Sequence, residues 1–193
     1  MELLPLKKNT VALVTLALIA ALGIAVRTFI EIPIVPGLLV LTPGFLFSLL
    51  GGVLGGIPGG VIVGGITGIG GAMTGNEPPL LPFLGNVALG IGAGMAIHIV
   101  KERDNIRYVL LVILGGGLIG GLLPSLTIFA SVLDPPEVII GLALIDMTQA
   151  ILWGLVALIV ERTIIRPIVG SYIYREKEQE LLELTGQEVE SSD

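Results

Sequence analysis

Residues 51–60 read Gly-Gly-Val-Leu-Gly-Gly-Ile-Pro-Gly-Gly and lie at the centre of an uncharged apolar run from residue 32 to residue 76. A helix crosses the hydrocarbon of a bilayer with about 20 apolar residues, so this run is too long for one span and too short for three. Proline cannot continue the hydrogen-bond ladder of a helix, and paired glycines favour turns. We therefore predict a hairpin of two short helices, at about 38–54 and 57–73.

Four further uncharged apolar runs each have the length of a single helix, at residues 10–26, 78–100, 108–133 and 138–160. Together with the hairpin they predict an all-α integral membrane bundle of six transmembrane helices. We expect this domain to cover residues 1–165, followed by a polar, acidic cytoplasmic tail over residues 166–193. The alternative for the first run is a signal peptide cleaved near residues 21–25, but the run is longer than a usual signal core.

The composition excludes several classes of protein. Of the 193 residues, 53% are hydrophobic and 13% are charged, whereas roughly a quarter of the residues of a water-soluble domain are charged. The chain has no cysteine and a single histidine, His98, so we expect neither a metal site nor a cofactor. It also lacks the basic face that a nucleic-acid-binding protein needs.

The distribution of basic residues predicts the orientation in the membrane. Lysine and arginine are enriched in cytoplasmic loops close to the ends of spans. With six spans and a cytoplasmic N-terminus, Arg27 is the only basic residue outside. The inner segments then hold all the other basic residues near span ends: Lys7, Lys8, Lys101, Arg103, Arg107, Arg162 and Arg166. We therefore expect a multi-pass protein of the cell membrane with both termini in the cytoplasm.

Glycines recur at every fourth position in the hairpin, at Gly52, Gly56, Gly60, Gly64 and Gly68. On a helix this spacing stacks small residues on one face, so two backbones can approach closely. Such a face could alternatively slide or part during a transport cycle. No phosphate-binding loop, Rossmann fingerprint, GxSxG or HExxH motif occurs in the sequence. We therefore expect a protein that is not an enzyme and does not hydrolyse ATP by itself.

Asp146 is the most deeply placed ionisable residue, about 13 Å from the outer end of the last span at 1.5 Å per residue. Charged groups inside a bilayer are costly and tend to be paired or functional. Gln149 and Trp153 follow at i+3 and i+7, on the same helix face. We interpret the three as one wall of a pocket for a small polar ring compound. The alternative is a buried aspartate satisfied by neighbouring helices, with Trp153 as apolar bulk.

Two more polar residues belong to the predicted substrate site. Arg27 lies at the outer end of the first span, where it contacts the substrate or a gate, or else reaches up to the lipid headgroups. Asn86 lies near the outer end of the fourth span, where it faces the same cavity or forms a hydrogen bond between helices. Aromatic residues are candidates for further contacts: Phe29, Phe45, Phe47, Phe83 and Phe129.

Ala17, Ala21 and Ala25 form a stripe of small residues at spacing four on the first span. Such a stripe packs against another helix of the same chain, or it serves as a docking face for another membrane protein.

The sequence resembles the substrate-binding S components of energy-coupling factor transporters over residues 10–165. The resemblance depends on the six-span layout, the alanine-rich segment 16–26, Ile32-Pro33-Ile34, Leu41-Thr42-Pro43-Gly44 and the glycine-rich hairpin. It implies a subunit that captures a vitamin or a similar micronutrient outside the cell and docks on a transmembrane coupling subunit driven by two ATPases. It also implies that the stripe of Ala17, Ala21 and Ala25 is the docking face.

Two other functions remain open from the residues themselves. The chain could be a scaffold subunit of a larger complex that transports nothing, with Asp146 paired to a neighbouring helix and no outer cavity. It could also be a secondary carrier in which Asp146 carries a proton, although the sequence shows no internal repeat of the kind such carriers often have.

Overall fold

The computed structural model describes residues 5–35, 39–75, 78–130 and 135–174. Within these ranges the chain is almost entirely helical, and five helices are long and apolar enough to cross a membrane. Their bounds are Thr10–Phe29, Gly44–Met73, Leu80–Ile99, Ile106–Thr127 and Pro136–Ile173. The architecture is therefore compatible with a membrane bundle, as the composition predicts.

The elements follow one another in a simple order: α1 Thr10–Phe29, β1 Ile32–Val35, β2 Leu39–Leu41, α2 Gly44–Met73, α3 Leu80–Gly94, α4 Ala96–Ile99, α5 Ile106–Gly115, α6 Leu123–Thr127, α7 Pro136–Val160 and α8 Arg166–Ile173. Two π-helical segments, Gly116–Leu122 and Glu161–Ile165, join α5 to α6 and α7 to α8. The start of α1 is capped by Asn9, whose side chain accepts a hydrogen bond from the backbone N–H of Ala12 at 2.8 Å.

Helix α2 reverses direction at Gly56. This residue has φ 61° and ψ −155°, a backbone conformation open mainly to glycine. A Cβ built on Gly51 would lie 2.5 Å from the Cβ of Val63, whereas the two residues would be about 18 Å apart along a continuous helix. The two arms, 44–55 and 57–73, therefore lie side by side, as the Gly/Pro sequence predicts.

The bounds of the first arm differ from the prediction. Residues 39–41 are a strand, not the beginning of a helix, and the arm begins at Gly44 after Pro43. Strand β2 pairs antiparallel with β1, with Ile32 opposite Leu41. The described chain is therefore helical as predicted, apart from this small β-hairpin. Its strands are rich in valine, isoleucine and leucine, and an apolar run of these residues suits an extended chain as well as a helix.

Glycines bring α2 and α3 into backbone contact. A Cβ on Gly60 would overlap the carbonyl of Gly90, and a Cβ on Gly90 would overlap the carbonyl of Gly60. A Cβ on Gly52 would likewise overlap the carbonyl oxygen of Gly90. The four-residue spacing of the glycines therefore serves close helix packing, which was the structural interpretation of the pattern.

Both described ends of the chain lie at one end of the bundle. Leu6 pairs with Tyr174, and the backbone N–H of Lys7 donates to the carbonyl of Ile173 at 2.9 Å. The reversal at Gly56 lies at the same end, because a Cβ on Gly56 would be 3.1 Å from the Cδ of Pro5. Arg103 lies there too, since it donates hydrogen bonds to the carbonyls of Val53 and Leu54. We call this region, made of residues 5–9, Gly56, the loop 101–105 and residues 161–174, the Arg103 end.

Ion pairs hold the Arg103 end together. Arg166 contacts the buried Glu161 at 2.9 Å and Asp104 at 2.6 Å. The hydrogen bond from Arg166 lowers the pKa of the exposed Asp104 carboxyl. Residues 166–173 of the predicted tail are helical here, and residues 175–193 of that tail lie outside the described residues.

We expect Gly60→Ala to destabilise the protein by about 1–3 kcal/mol, because its methyl group would overlap the backbone of Gly90. Gly141→Ala is the matched control, since nothing lies within 4 Å of a Cβ built on this helical glycine. Unfolding of the two variants in detergent measures the difference. Equal stability of the variants would contradict the close packing of α2 on α3.

Candidate ligand-binding cavity

A cavity of about 380 Å³ lies between the helices at the end of the bundle away from the Arg103 end. Its wall is formed by the end of α1, by β2 and the start of α2, and by α3 from Leu81 to Leu89. Residues between Gly120 and Ala130 and the part of α7 from Ile139 to Gln149 complete it. The volume is within the range of pockets for small ligands. Its surface combines apolar side chains with a few polar ones, the usual composition of such a pocket.

Four of the five predicted substrate-binding residues line this cavity: Arg27, Asn86, Asp146 and Gln149. They come from three different helices and are far apart in the sequence. The two candidate aromatic residues Phe45 and Phe129 also line it. Helix packing therefore collects the isolated polar residues of several spans around one space.

Asp146 accepts a hydrogen bond from the Ser125 hydroxyl, with 2.6 Å between Oγ and Oδ2. The same hydroxyl lies 3.0 Å from the carbonyl oxygen of Gly121. A Cβ on Gly121 would lie 2.7 Å from the carbonyl oxygen of Asp146, so the absence of a side chain at Gly121 lets α7 approach this wall. The Asp146 carboxylate is thus held by a neighbouring helix and also faces the cavity.

Gln149 fastens the β-hairpin to α7. Its Oε1 accepts a hydrogen bond from the backbone N–H of Thr42 at 2.9 Å, and its Nε2 donates to the carbonyl of Val40 at 3.0 Å. An apolar groove of about 340 Å³ is lined by Ile34, Leu41 and residues 144–152 of α7. Gln149 and Ile145 line both the cavity and this groove.

Asn86 forms the interhelical hydrogen bond that the sequence left as an alternative to a substrate contact. Its Oδ1 accepts from the Ser48 hydroxyl at 2.7 Å, and its Nδ2 donates to the carbonyl of Pro82 at 2.8 Å. The residue is buried and still lines the cavity. Its amide keeps one further N–H with which it can meet a ligand.

Trp153 is not among the residues that line the cavity. It is four residues beyond Gln149, about 6 Å further along the helix axis, and packs against the hydrophobic core. The structure thus brings Asp146 and Gln149 together at the cavity but leaves Trp153 outside it. Helical periodicity places all three on one face, but the cavity ends before the deepest of them.

Arg27 is buried, with 8% of its surface exposed. It lies beside the two ends of the α2 hairpin, because a Cβ on Gly44 would be 2.7 Å from its Cδ and a Cβ on Gly71 would be 3.0 Å from its Nε. This burial does not fit an arginine that extends to lipid headgroups. The side chain instead forms part of the cavity wall.

Two polar residues of the cavity were not predicted, Thr42 and Ser125. Each is a hydroxyl residue within an apolar segment, which is the signal that could have indicated them. The hydroxyl of Ser125 is a direct partner of Asp146, and the backbone of Thr42 is a direct partner of Gln149.

The alanine stripe lies on the outside of the bundle. Ala17, Ala21 and Ala25 are all exposed, whereas the opposite face of α1 buries Leu16 and Ala20 against the core. Packing within this chain therefore does not account for the stripe in the described part of the structure.

Comparison with protein-family models and with curated proteins finds no match for this chain. The interpretation of the cavity therefore depends on its geometry. The cavity combines donors, acceptors and aromatic surface, which suits reversible binding of a small molecule. Among the described residues, no three His, Cys, Asp or Glu side chains are grouped closely enough to hold a metal ion.

We expect Gln149→Ala to loosen the β-hairpin, because two hydrogen bonds to its backbone are lost. Hydrogen exchange at the Thr42 amide measures the effect, and we expect it to be about tenfold faster. Thr148→Ala is the control, since the Thr148 hydroxyl is exposed and bonds only to the carbonyl of Leu144 in its own helix. Unchanged exchange in Gln149→Ala would show that the hairpin is held by other contacts.

Proposed function

We propose that the chain is the membrane-embedded substrate-capture subunit of an energy-coupling-factor type importer for a vitamin or a related micronutrient. In this proposal six helical segments cross the cell membrane, both termini are cytoplasmic, and the cavity opens toward the exterior. Partner proteins, namely a transmembrane coupling subunit and two ATPases, supply the energy. The observation that carries the proposal is the cavity that collects Arg27, Asn86, Asp146 and Gln149.

The arrangement of the helices supports this topology. The reversal at Gly56 turns the five long helices into six apolar segments. Lys7, Arg103 and Arg166 come together at the Arg103 end, which is the concentration of basic residues expected on the cytoplasmic side. The cavity at the opposite end would then face outward.

The exposed alanine stripe supports a coupling partner. A smooth row of small side chains lets another helix approach the backbone of α1 closely. The sequence contains no nucleotide-binding motif, so active import by this chain needs energy from elsewhere. A docking face on α1 would let a partner protein supply this energy.

The geometry favours capture over the scaffold alternative. A scaffold subunit predicts that Asp146 is used only to join helices and that no cavity lies beside it. Asp146 does bond to Ser125, but it also faces a cavity large enough for a small ligand.

Mass spectrometry of small molecules that co-purify with the detergent-solubilised protein tests the capture function. We expect a vitamin-like compound, and we expect Asp146→Asn to retain at least about tenfold less of it, because a charged hydrogen-bond acceptor of the cavity is lost. Glu137→Gln is the control, since Glu137 lies on the same helix outside the cavity lining. If no small molecule is retained by the wild-type protein, a capture function is contradicted.

Tryptophan substitutions on α1 test the docking face. We expect Ala17→Trp or Ala21→Trp to abolish uptake and co-purification of the coupling subunit, because the indole blocks close approach of the partner helix. Ligand retention should be unchanged, since both positions are exposed away from the cavity. Leu110→Trp, at an exposed position of α5, is the control. Normal uptake in both alanine variants would show that docking occurs elsewhere, and uptake that needs a proton gradient but no ATP would favour the carrier.

A further inference from the structure

Arg27 is a buried cation that occupies a space left by nearby glycines. Its side chain is nine-tenths buried and lines the cavity, and glycines at both ends of the α2 hairpin leave the space that it occupies. Removing a charge from water is costly unless the charge is paired and hydrogen-bonded. The question is therefore whether the protein alone supplies enough hydrogen-bond and charge partners for the Arg27 guanidinium.

The partners among the described residues use little of the hydrogen-bonding capacity of the Arg27 guanidinium. Its ion pair with Glu31, one turn further along the chain, has an N–O distance of 3.6 Å, longer than a hydrogen bond. The Glu31 side chain is 37% exposed, so water weakens the attraction. The Nε atom is buried and has no hydrogen-bond partner among residues 5–35, 39–75, 78–130 and 135–174. A guanidinium has five N–H donors, so most of this capacity remains for a ligand.

We propose that Arg27 binds a carboxylate group of the captured ligand, an inference that rests on the proposed capture function. A carboxylate matches the planar fork of a guanidinium and forms two parallel hydrogen bonds with it. Arg27 and Asp146 are the only charged residues among those that line the cavity in the described part of the chain. The single positive charge of Arg27 therefore balances one carboxylate. A phosphate dianion would need a second cation, which the described lining does not contain.

The rest of the cavity defines the remainder of the ligand. Phe45 and Phe129 supply apolar surface for a ring or a short hydrocarbon segment. The Asp146 carboxylate accepts hydrogen bonds, so the part of the ligand that reaches it carries an N–H or O–H donor. The ligand class is thus a small carboxylic acid with an apolar middle and a donor group away from the carboxylate.

The test compares benzoate with benzamide, which have the same shape but differ in charge. Saturation-transfer NMR titrations on the purified full-length protein in detergent give the two dissociation constants. We expect benzoate to bind the wild-type protein at least about tenfold more tightly, because the hydrogen bond from Arg27 to a carboxylate is charge-assisted. In Arg27→Gln the two compounds should bind equally weakly. Arg162→Gln, an exposed arginine at the Arg103 end, should keep the wild-type contrast.

Several results would overturn the inference. These are the absence of benzoate binding, equal affinities in the wild-type protein, and a contrast that persists in Arg27→Gln. If Arg27→Gln does not fold, Arg27→Lys serves in its place, with a reduced contrast expected because an ammonium group lacks the planar fork. A co-purifying ligand without a carboxylate would contradict this inference but leave the capture function standing, whereas the absence of any ligand would contradict the capture function itself.

Discussion

The contact between the backbones of Gly60 and Gly90 is the constraint on which the rest of the bundle depends. Without side chains at these positions, α3 lies directly against the second arm of α2. That proximity places Ser48 of the first arm within hydrogen-bond distance of Asn86 on α3. Lipid chains are as apolar as leucine, so helices in a bilayer associate through close packing and polar contacts of this kind and not through the hydrophobic effect. The glycines thus determine the position of α3, which carries Asn86 in the cavity wall.

The polar side chains of the cavity join elements of the bundle and also border the cavity. Gln149 holds the β-hairpin, Asn86 joins α2 to α3, and Asp146 joins α7 to Ser125. Each also borders the cavity. A polar group that is already anchored by one partner keeps its orientation without a ligand, so less conformational entropy is lost on binding. Arg27 differs from these three residues because packing, and not a set of hydrogen bonds, holds it in place.

The parts of the structure that follow from local backbone chemistry could be predicted from the sequence. The Gly/Pro segment indicated the reversal at Gly56, and the spacing of the glycines indicated close packing. The β-hairpin could not be predicted, because a short apolar run looks the same in a strand and in a helix. Periodicity placed Trp153 on the same face as Asp146 but gave no information on how deep the cavity reaches. The space around Arg27 is left by Gly44 and Gly71, which are distant from it in sequence, so only the folded chain reveals it.

The first arm of α2 is short. Residues 44–55 extend about 18 Å at 1.5 Å per residue, whereas the hydrocarbon of a bilayer is about 30 Å thick. The β-hairpin, with its exposed Ile32 and Ile34, directly precedes this arm in the chain. In a bilayer, a hydrophobic segment shorter than the hydrocarbon thickness is accommodated by thinning of the lipid around it. Lipid beside the cavity wall at Phe45, which belongs to this arm, would therefore be thinner than the bulk bilayer.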